Sequence, residues 1–141
     1  MNKKHQPKDD GPLAQMALKI VPELKKLFPK TTIALKYTTP FQLLVAVILS
    51  AQTTDKKVNE VTPRLFANFK TAQDFAKLSQ GELEKYIKSI GLYRGKSKNI
   101  IAAAEIISDK YKGGLPRSMR EMVALPGVGR KTANVVLGIV Y

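Results

Sequence analysis

The segment Leu125-Pro126-Gly127-Val128-Gly129-Arg130-Lys131-Thr132-Ala133 holds the pattern best suited to chemistry. Gly127 and Gly129 stand one residue apart between two helical patterns. The backbone there can take positive φ and bring its N–H groups to a surface that no side chain shields. The helix expected to start at Arg130 turns its positive N-terminal end to the same place. Together these features make an anion seat suited to a phosphate, held by backbone donors without contact to a base edge. An ordinary tight helix–helix turn uses glycine in the same way. A nucleotide-binding P-loop is excluded by spacing, because that loop needs glycine directly before its lysine and Arg130 stands there. Lys131 falls in the first turn of the last helix, where the helix dipole and Arg130 both act against a positive charge. An amine held partly neutral is a nucleophile towards a sugar aldehyde carbon, giving a Schiff base. A lysine that simply contacts phosphate fits the bare residues at least as well.

Composition narrows the partner. Lys and Arg number 24 against 11 Asp and Glu, a formal net charge of +13 on 141 residues. A surplus of that size favours a polyanion, because neutralising phosphates releases counterions and steers association. Hydrophobic residues make up 44% of the chain, enough to bury one core and too much for wholesale disorder. There is no cysteine, which removes disulfides, thiolate chemistry and any cysteine-ligated cluster from this chain, and no metal ligand set is expected. His5 stands in a polar leader and reads as solvated. Residues 1–11 carry no apolar run of the kind that marks a signal peptide. The longest apolar run, around Leu43 to Leu49, is far short of the roughly 20 residues that span a bilayer. The expected protein is soluble, cytoplasmic and monomeric.

The elements that must position these residues read as helices throughout, so the expected class is all-α. Leu13 to Phe28 has helical spacing, with Pro22 expected to kink or split it. Phe41 to Gln52 follows Pro40 and is nearly all apolar, as a fully buried helix is. Asp55 to Phe69 follows, with Thr54 or Asp55 as cap and a bend at Pro63. Thr71 to Asp74, Ser79 to Glu82 and Ser118 to Glu121 read as three capping boxes. Gly91 is a candidate helix stop. Lys96 to Tyr111 aligns Ile100, Ala103, Ala104, Ile107 and Tyr111 on one face and halts at Gly113-Gly114. The last helix starts at Arg130, with Ala133, Val136, Leu137 and Val140 inward.

Three blocks, Pro40 to Leu44 running on through Leu49 to Asp55, Tyr86 to Tyr93, and Leu125 to Leu137, keep one order and spacing. In that combination the chain resembles the endonuclease III family of helix–hairpin–helix DNA glycosylases from about Pro40 onward. The resemblance implies a six-helix barrel over 31–141 with the helix–hairpin–helix at 118–140. It also implies a polar, disordered leader over 1–12 and a helix at 13–30 that belongs to an incomplete second domain. The implied activity is excision of oxidised pyrimidines from duplex DNA followed by β-elimination at the abasic site, and the implied setting is the bacterial nucleoid. By position, Lys131 matches the Schiff-base lysine, Gln52 the residue that fills the gap left by a flipped nucleotide, and Leu92 the wedge in the opposite strand. Asp55 lines the region near the pocket, while Gly127, Val128, Gly129, Arg130 and Thr132 hold the DNA backbone. Filling the hole left by an extruded base recovers part of the unstacking cost.

The chain departs from the family pattern at Val123, where a carboxylate is common, and at its end. The family's catalytic aspartate, in a Val-Asp-Thr-His segment, and the four cysteines of its [4Fe–4S] cluster fall beyond Tyr141. The apolar run Val135 to Tyr141 has no helix stop, so the chain is expected to be C-terminally truncated and impaired in activity, and a cluster is implied only for a longer protein. A non-catalytic helix–hairpin–helix module is the rival reading, but it needs neither a wedge nor a poised amine. Adenine-mismatch glycosylases are disfavoured because they generally lack lysine at this position. If hairpin and phosphate carry most of the binding, affinity for duplex DNA falls steeply with added salt and hardly varies with sequence. A salt titration across two unrelated duplexes checks this, and a salt-insensitive, sequence-selective complex would sink it.

Overall fold

Helical spacing in the sequence becomes eight α-helices and no strand among the described residues, 11–29 and 32–141 of the computed structural model: α1 Pro12–Leu27, α2 Pro40–Ser50, α3 Asp55–Asn68, α4 Ala72–Ala76, α5 Gln80–Ile87, α6 Tyr93–Tyr111, α7 Met119–Val123 and α8 Arg130–Val140. The leader over residues 1–10, with His5, lies outside the described residues. The chain divides into two units, Met1–Ile33 and Ala34–Tyr141. In the first, Gly11 caps α1 and Pro12 opens it, so the helix starts inside the expected leader. The helix also runs through Pro22 without splitting. A proline forfeits one backbone bond to the preceding turn, which bends a helix without having to end it.

The second unit is organised by α2. Every residue from Phe41 to Leu49 is buried, which is why the segment shows no polar face. Pro40 supplies a preset φ at the first helical position, and the Thr39 hydroxyl accepts the Gln42 N–H. Helices α3, α6 and α8 pack directly on α2, with α4 and α5 on α6, and α7 on α8. Phe75 fills the space beyond, with Phe41 and Phe69 edge-on to its ring at 5.2 and 6.1 Å between centroids.

The helix starts follow the local code closely. Thr54 caps α3, settling the choice between it and Asp55. Thr71–Asp74 and Ser79–Glu82 form complete capping boxes. The third does not close. The Ser118 hydroxyl accepts the Glu121 N–H, but the Glu121 carboxylate takes the Ser118 hydroxyl and the Tyr111 hydroxyl instead of the Ser118 N–H. Helix ends were less legible. The α2 helix stops at Ser50, two residues before the expected end, and α6 begins at Tyr93, three before the expected start. Gly91 is not a helix stop: α5 ends at Ile87, Lys88 is its C-cap, and Gly91 is not among the positive-φ residues. At the far end of α6, Lys112 and Gly113 take φ of 54° and 89°, and both N–H groups return to the Ile107 carbonyl.

The two closed boxes make a pH test. The backbone N–H of Lys70, then that of Thr71, hold the Asp74 carboxyl below its ordinary 3.8, and the Ser79 N–H does the same for Glu82 below 4.5. A carboxyl with a depressed folded-state pKa adds stability above its ordinary value and loses it as pH falls through the folded value. Thermal melts should therefore give a Tm insensitive to these two groups above pH 4.5 and falling below it. In the Asp74→Asn, Glu82→Gln variant the acid-side slope is expected to be shallower; an unchanged slope would count against this account.

Candidate nucleic-acid interface

A buried helix must satisfy its last carbonyls, and at the end of α2 that requirement shapes the surface. The Ser50 hydroxyl donates to the Val47 carbonyl at 2.9 Å, and the Ala51 N–H to Ile48 at 3.4 Å. The Thr53 N–H donates to the Ser50 carbonyl at 3.1 Å, closing a turn over 50–53. Ala51 has φ −59° and ψ 120° and Gln52 has φ 55°, the pattern of a type II turn with glutamine at the place that usually takes glycine. Gln52 is exposed at the apex. The next residues, Thr54 and Asp55, open α3, so Asp55 sits in the first turn of a helix directly beyond Gln52.

The carbonyls of Leu49 and Ala51 are taken by a side chain from α6. Lys96 Nζ donates to Leu49 O at 2.9 Å, to Ala51 O at 2.6 Å and to Thr53 Oγ1 at 3.3 Å. An ammonium has three donors, and all three are used. Lys96 is 6% exposed, and burial lowers its proton affinity from the ordinary lysine value. Four residues before it, Leu92 caps α6 with φ 58° and ψ 29° and no side-chain cap bond, its side chain 67% exposed. Gly91 lies against the Gln52 turn: a Cβ there would stand 3.5 Å from Thr53 Oγ1 and 3.7 Å from Gln52 O. The structure thus brings the turn bearing Gln52 and the segment bearing Leu92 into contact. Both residues are exposed and left-handed, a conformation that costs a non-glycine residue about 1–3 kcal/mol. The third such residue, Lys112, is accounted for by the helix stop.

The hairpin between α7 and α8 is pinned one turn further along α6. Gly127 has φ 75°, and a Cβ there would fall 2.8 Å from Asn99 Cβ, so the position requires glycine on two counts. Gly129 differs from expectation: its backbone is extended, with φ −85° and ψ 176°, and a Cβ would meet nothing within 4 Å. Its service is to leave the start of α8 open, where no side chain caps the helix. Val128 faces inward. It is 6% exposed, and its N–H is spent on the Leu125 carbonyl at 3.1 Å, so it secures the hairpin and offers a ligand neither side chain nor donor. Arg130 and Lys131 are exposed in the first turn of α8, and Thr132 is half-buried beside them. No ion pair joins Asp55 to Arg130 or Lys131 among the described residues.

Leu92, Lys96 and Asn99 follow the i, i+4, i+7 spacing of one helix face. That face of α6 carries the wedge candidate, ties down the Gln52 turn and meets the hairpin. Sequence reasoning passed over Lys96 and Asn99. The available signal was phase: Lys96 falls on the stripe of Ile100, Ala103 and Ile107, a position where a lysine is out of place.

Residues 45–138 match the model of the HhH-GPD superfamily base excision DNA repair protein. Endonuclease III of Synechocystis sp. is 50% identical over 123 residues, covering 87% of this chain and 56% of that protein. A solved non-covalent endonuclease III–DNA complex aligns with TM-score 0.78 at 46% identity, over 90% of this chain and 59% of that one. A trapped endonuclease III–DNA covalent intermediate gives TM-score 0.77 at 47% identity, over 89% and 59%. The chain therefore belongs to the HhH-GPD superfamily of base excision DNA repair proteins, and it resembles endonuclease III within it. It spans under two thirds of the length of these relatives. The residues present do not fit an iron–sulfur cluster: the sequence has no cysteine, and no group of three His, Cys, Asp or Glu comes together among the described residues. No described helix is long and apolar enough to cross a membrane.

The two glycines should separate on substitution. Gly127→Ala is expected to cost about 1–3 kcal/mol of stability by displacing the hairpin from Asn99. Gly129→Ala meets open space and should leave the melt close to wild type. Thermal melts of the two variants check this, and equal losses would contradict the assignment.

Proposed function

We propose that the protein is a base-excision repair enzyme that removes oxidised pyrimidines from duplex DNA and cleaves the resulting abasic strand by β-elimination, with Lys131 as nucleophile. The observation that carries this reading is the placement of Lys131: an exposed amine in the first turn of α8, directly after a glycine hairpin and at a helix start that no side chain caps. The anion-binding end of the helix holds a phosphate while the amine in the same first turn reaches the sugar.

In this reading the hairpin backbone at Gly127 and Gly129, with Arg130 and Thr132, grips the DNA backbone. Gln52 and Leu92 enter the opened base step, and Asp55 borders the pocket. The Lys131 amine attacks C1′ of the abasic aldehyde, and loss of water gives an imine. Loss of the now acidic C2′ proton shifts its electron pair into a C=C bond and breaks the C3′–O bond, releasing the 3′ phosphate. That a relative's covalent intermediate with DNA has been trapped supports the nucleophile. The base-excision step needs a general-acid or general-base carboxylate at the sugar, and we assign it to the whole protein. The rival reading, a module that only grips DNA, does not account for two exposed side chains held in left-handed backbone beside the same helix.

Borohydride reduction of the protein mixed with a duplex carrying one abasic site tests the reading. A covalent adduct is expected, falling to background in Lys131→Gln. Salt-sensitive binding to the same duplex without any adduct would leave only the DNA-gripping module.

A further inference from the structure

The DNA reading assigns Gln52 and Leu92 to one opened base step but does not say what fixes the spacing between them. Two side chains that must enter the same gap from opposite strands have to be held at a set separation, since small errors of placement are expensive at such sites. Neither is held by its own contacts: both are exposed at the ends of elements, and Leu92 has no side-chain cap bond.

We propose that Lys96 is the positioning residue of this interface: its buried ammonium locks the Gln52 turn to the helix that presents Leu92. This rests on the DNA-repair reading above. The acceptors of Lys96 Nζ include the residues on both sides of Gln52, the Ala51 carbonyl at 2.6 Å and the Thr53 hydroxyl at 3.3 Å, with Leu49 O at 2.9 Å behind them. With both neighbours tied to one atom, the Gln52 backbone cannot relax out of φ 55° without breaking charge-assisted bonds. Lys96 in turn stands one helical turn from Leu92, and its own N–H donates to the Leu92 carbonyl at 3.0 Å. One residue therefore bonds to the backbone of both probe segments.

Closing the end of α2 calls for donors to Leu49 and Ala51, but not for the third bond to Thr53 or for an origin on the Leu92 helix. No carboxylate pairs with the Lys96 ammonium among the described residues, so its charge is held by these three neutral oxygens alone. A buried charge is often replaceable by apolar packing without loss of stability, and retaining it here fixes geometry.

The test is the ratio of affinities for an abasic-site duplex over the undamaged duplex, measured at one salt concentration in Lys96→Met, Gln52→Ala and the double variant. Lys96→Met keeps the length of the side chain and removes all three donors. The ratio is expected to fall by about tenfold in each single variant, and the double variant should lose no more than Gln52→Ala alone, because the lysine acts through the glutamine. Additive losses, or a lowered Tm with the ratio unchanged, would reduce Lys96 to a structural residue and overturn the proposal. A ratio unaffected by Gln52→Ala would instead bring down the DNA reading itself, and the proposal with it. Should Lys96→Met not fold, Thr53→Val removes one acceptor of the three and is expected to lower the ratio by about threefold; no change in that variant overturns the proposal equally.

Discussion

A helix buried on every side must still end, and how α2 ends governs the rest of this protein. Carbonyls of its last turn and of the turn that follows have been given donors: Ser50 Oγ on Val47, the Ala51 N–H on Ile48, the Thr53 N–H on Ser50, and Lys96 on Leu49 and Ala51. Leaving such groups unpaired costs about 1–3 kcal/mol each, so the end of α2 is a large constraint on a domain whose net stability is small. The chosen solution is a tight turn whose apex is thrown outward, and the apex is Gln52.

The same solution explains why strain is concentrated where it is. Left-handed backbone at glutamine or leucine is disfavoured by the clash of Cβ with the following carbonyl. It persists at Gln52 and Leu92 because the surrounding bonds over-determine it, and the two strained segments touch through Gly91. At Lys112 the same conformation stops a helix, with a glycine following it, and asks for no further reason. Strain by itself does not mark a site. Strain at two exposed residues whose segments are both bonded to Lys96 has no such local excuse.

The hairpin completes the surface by a division of labour within three residues. Gly127 is packed against Asn99 and must lack a side chain, Val128 is buried as the plug that keeps the loop seated, and Gly129 leaves the start of α8 open. Because Asn99 lies on the face of α6 that carries Leu92 and Lys96, the hairpin, Leu92 and the Gln52 turn are all held against one helix. From Leu92 to Asn99 the rise is roughly 10 Å, about three steps along a DNA strand. The formal charge of +13 favours a polyanionic partner.

Signals that act within a few residues were legible in the chain. Thr71, Ser79 and Thr54 cap the helices they precede, Gly113 helps stop the helix before it, and the apolar run from Phe41 to Leu49 announced a helix with no outside. Their energies come from hydrogen bonds and sterics inside a single turn, so the order of residues suffices to read them. Lys131 and the hairpin belonged to this class, as did the three blocks that carry the resemblance. Gly91 misled for the same reason: glycine is a local stop signal, and here its use lies in closeness to a turn about forty residues earlier. Glu121 misled as well, because Tyr111 competes for its carboxylate from another helix. The sequence by itself determined which segments are helical, several of their N-caps and the place of the amine-bearing hairpin. Only the tertiary structure decided what the lysine on the apolar stripe of α6 would bond to, since the partners of Lys96 lie 43 to 47 residues away and become partners only when α6 packs against the end of α2.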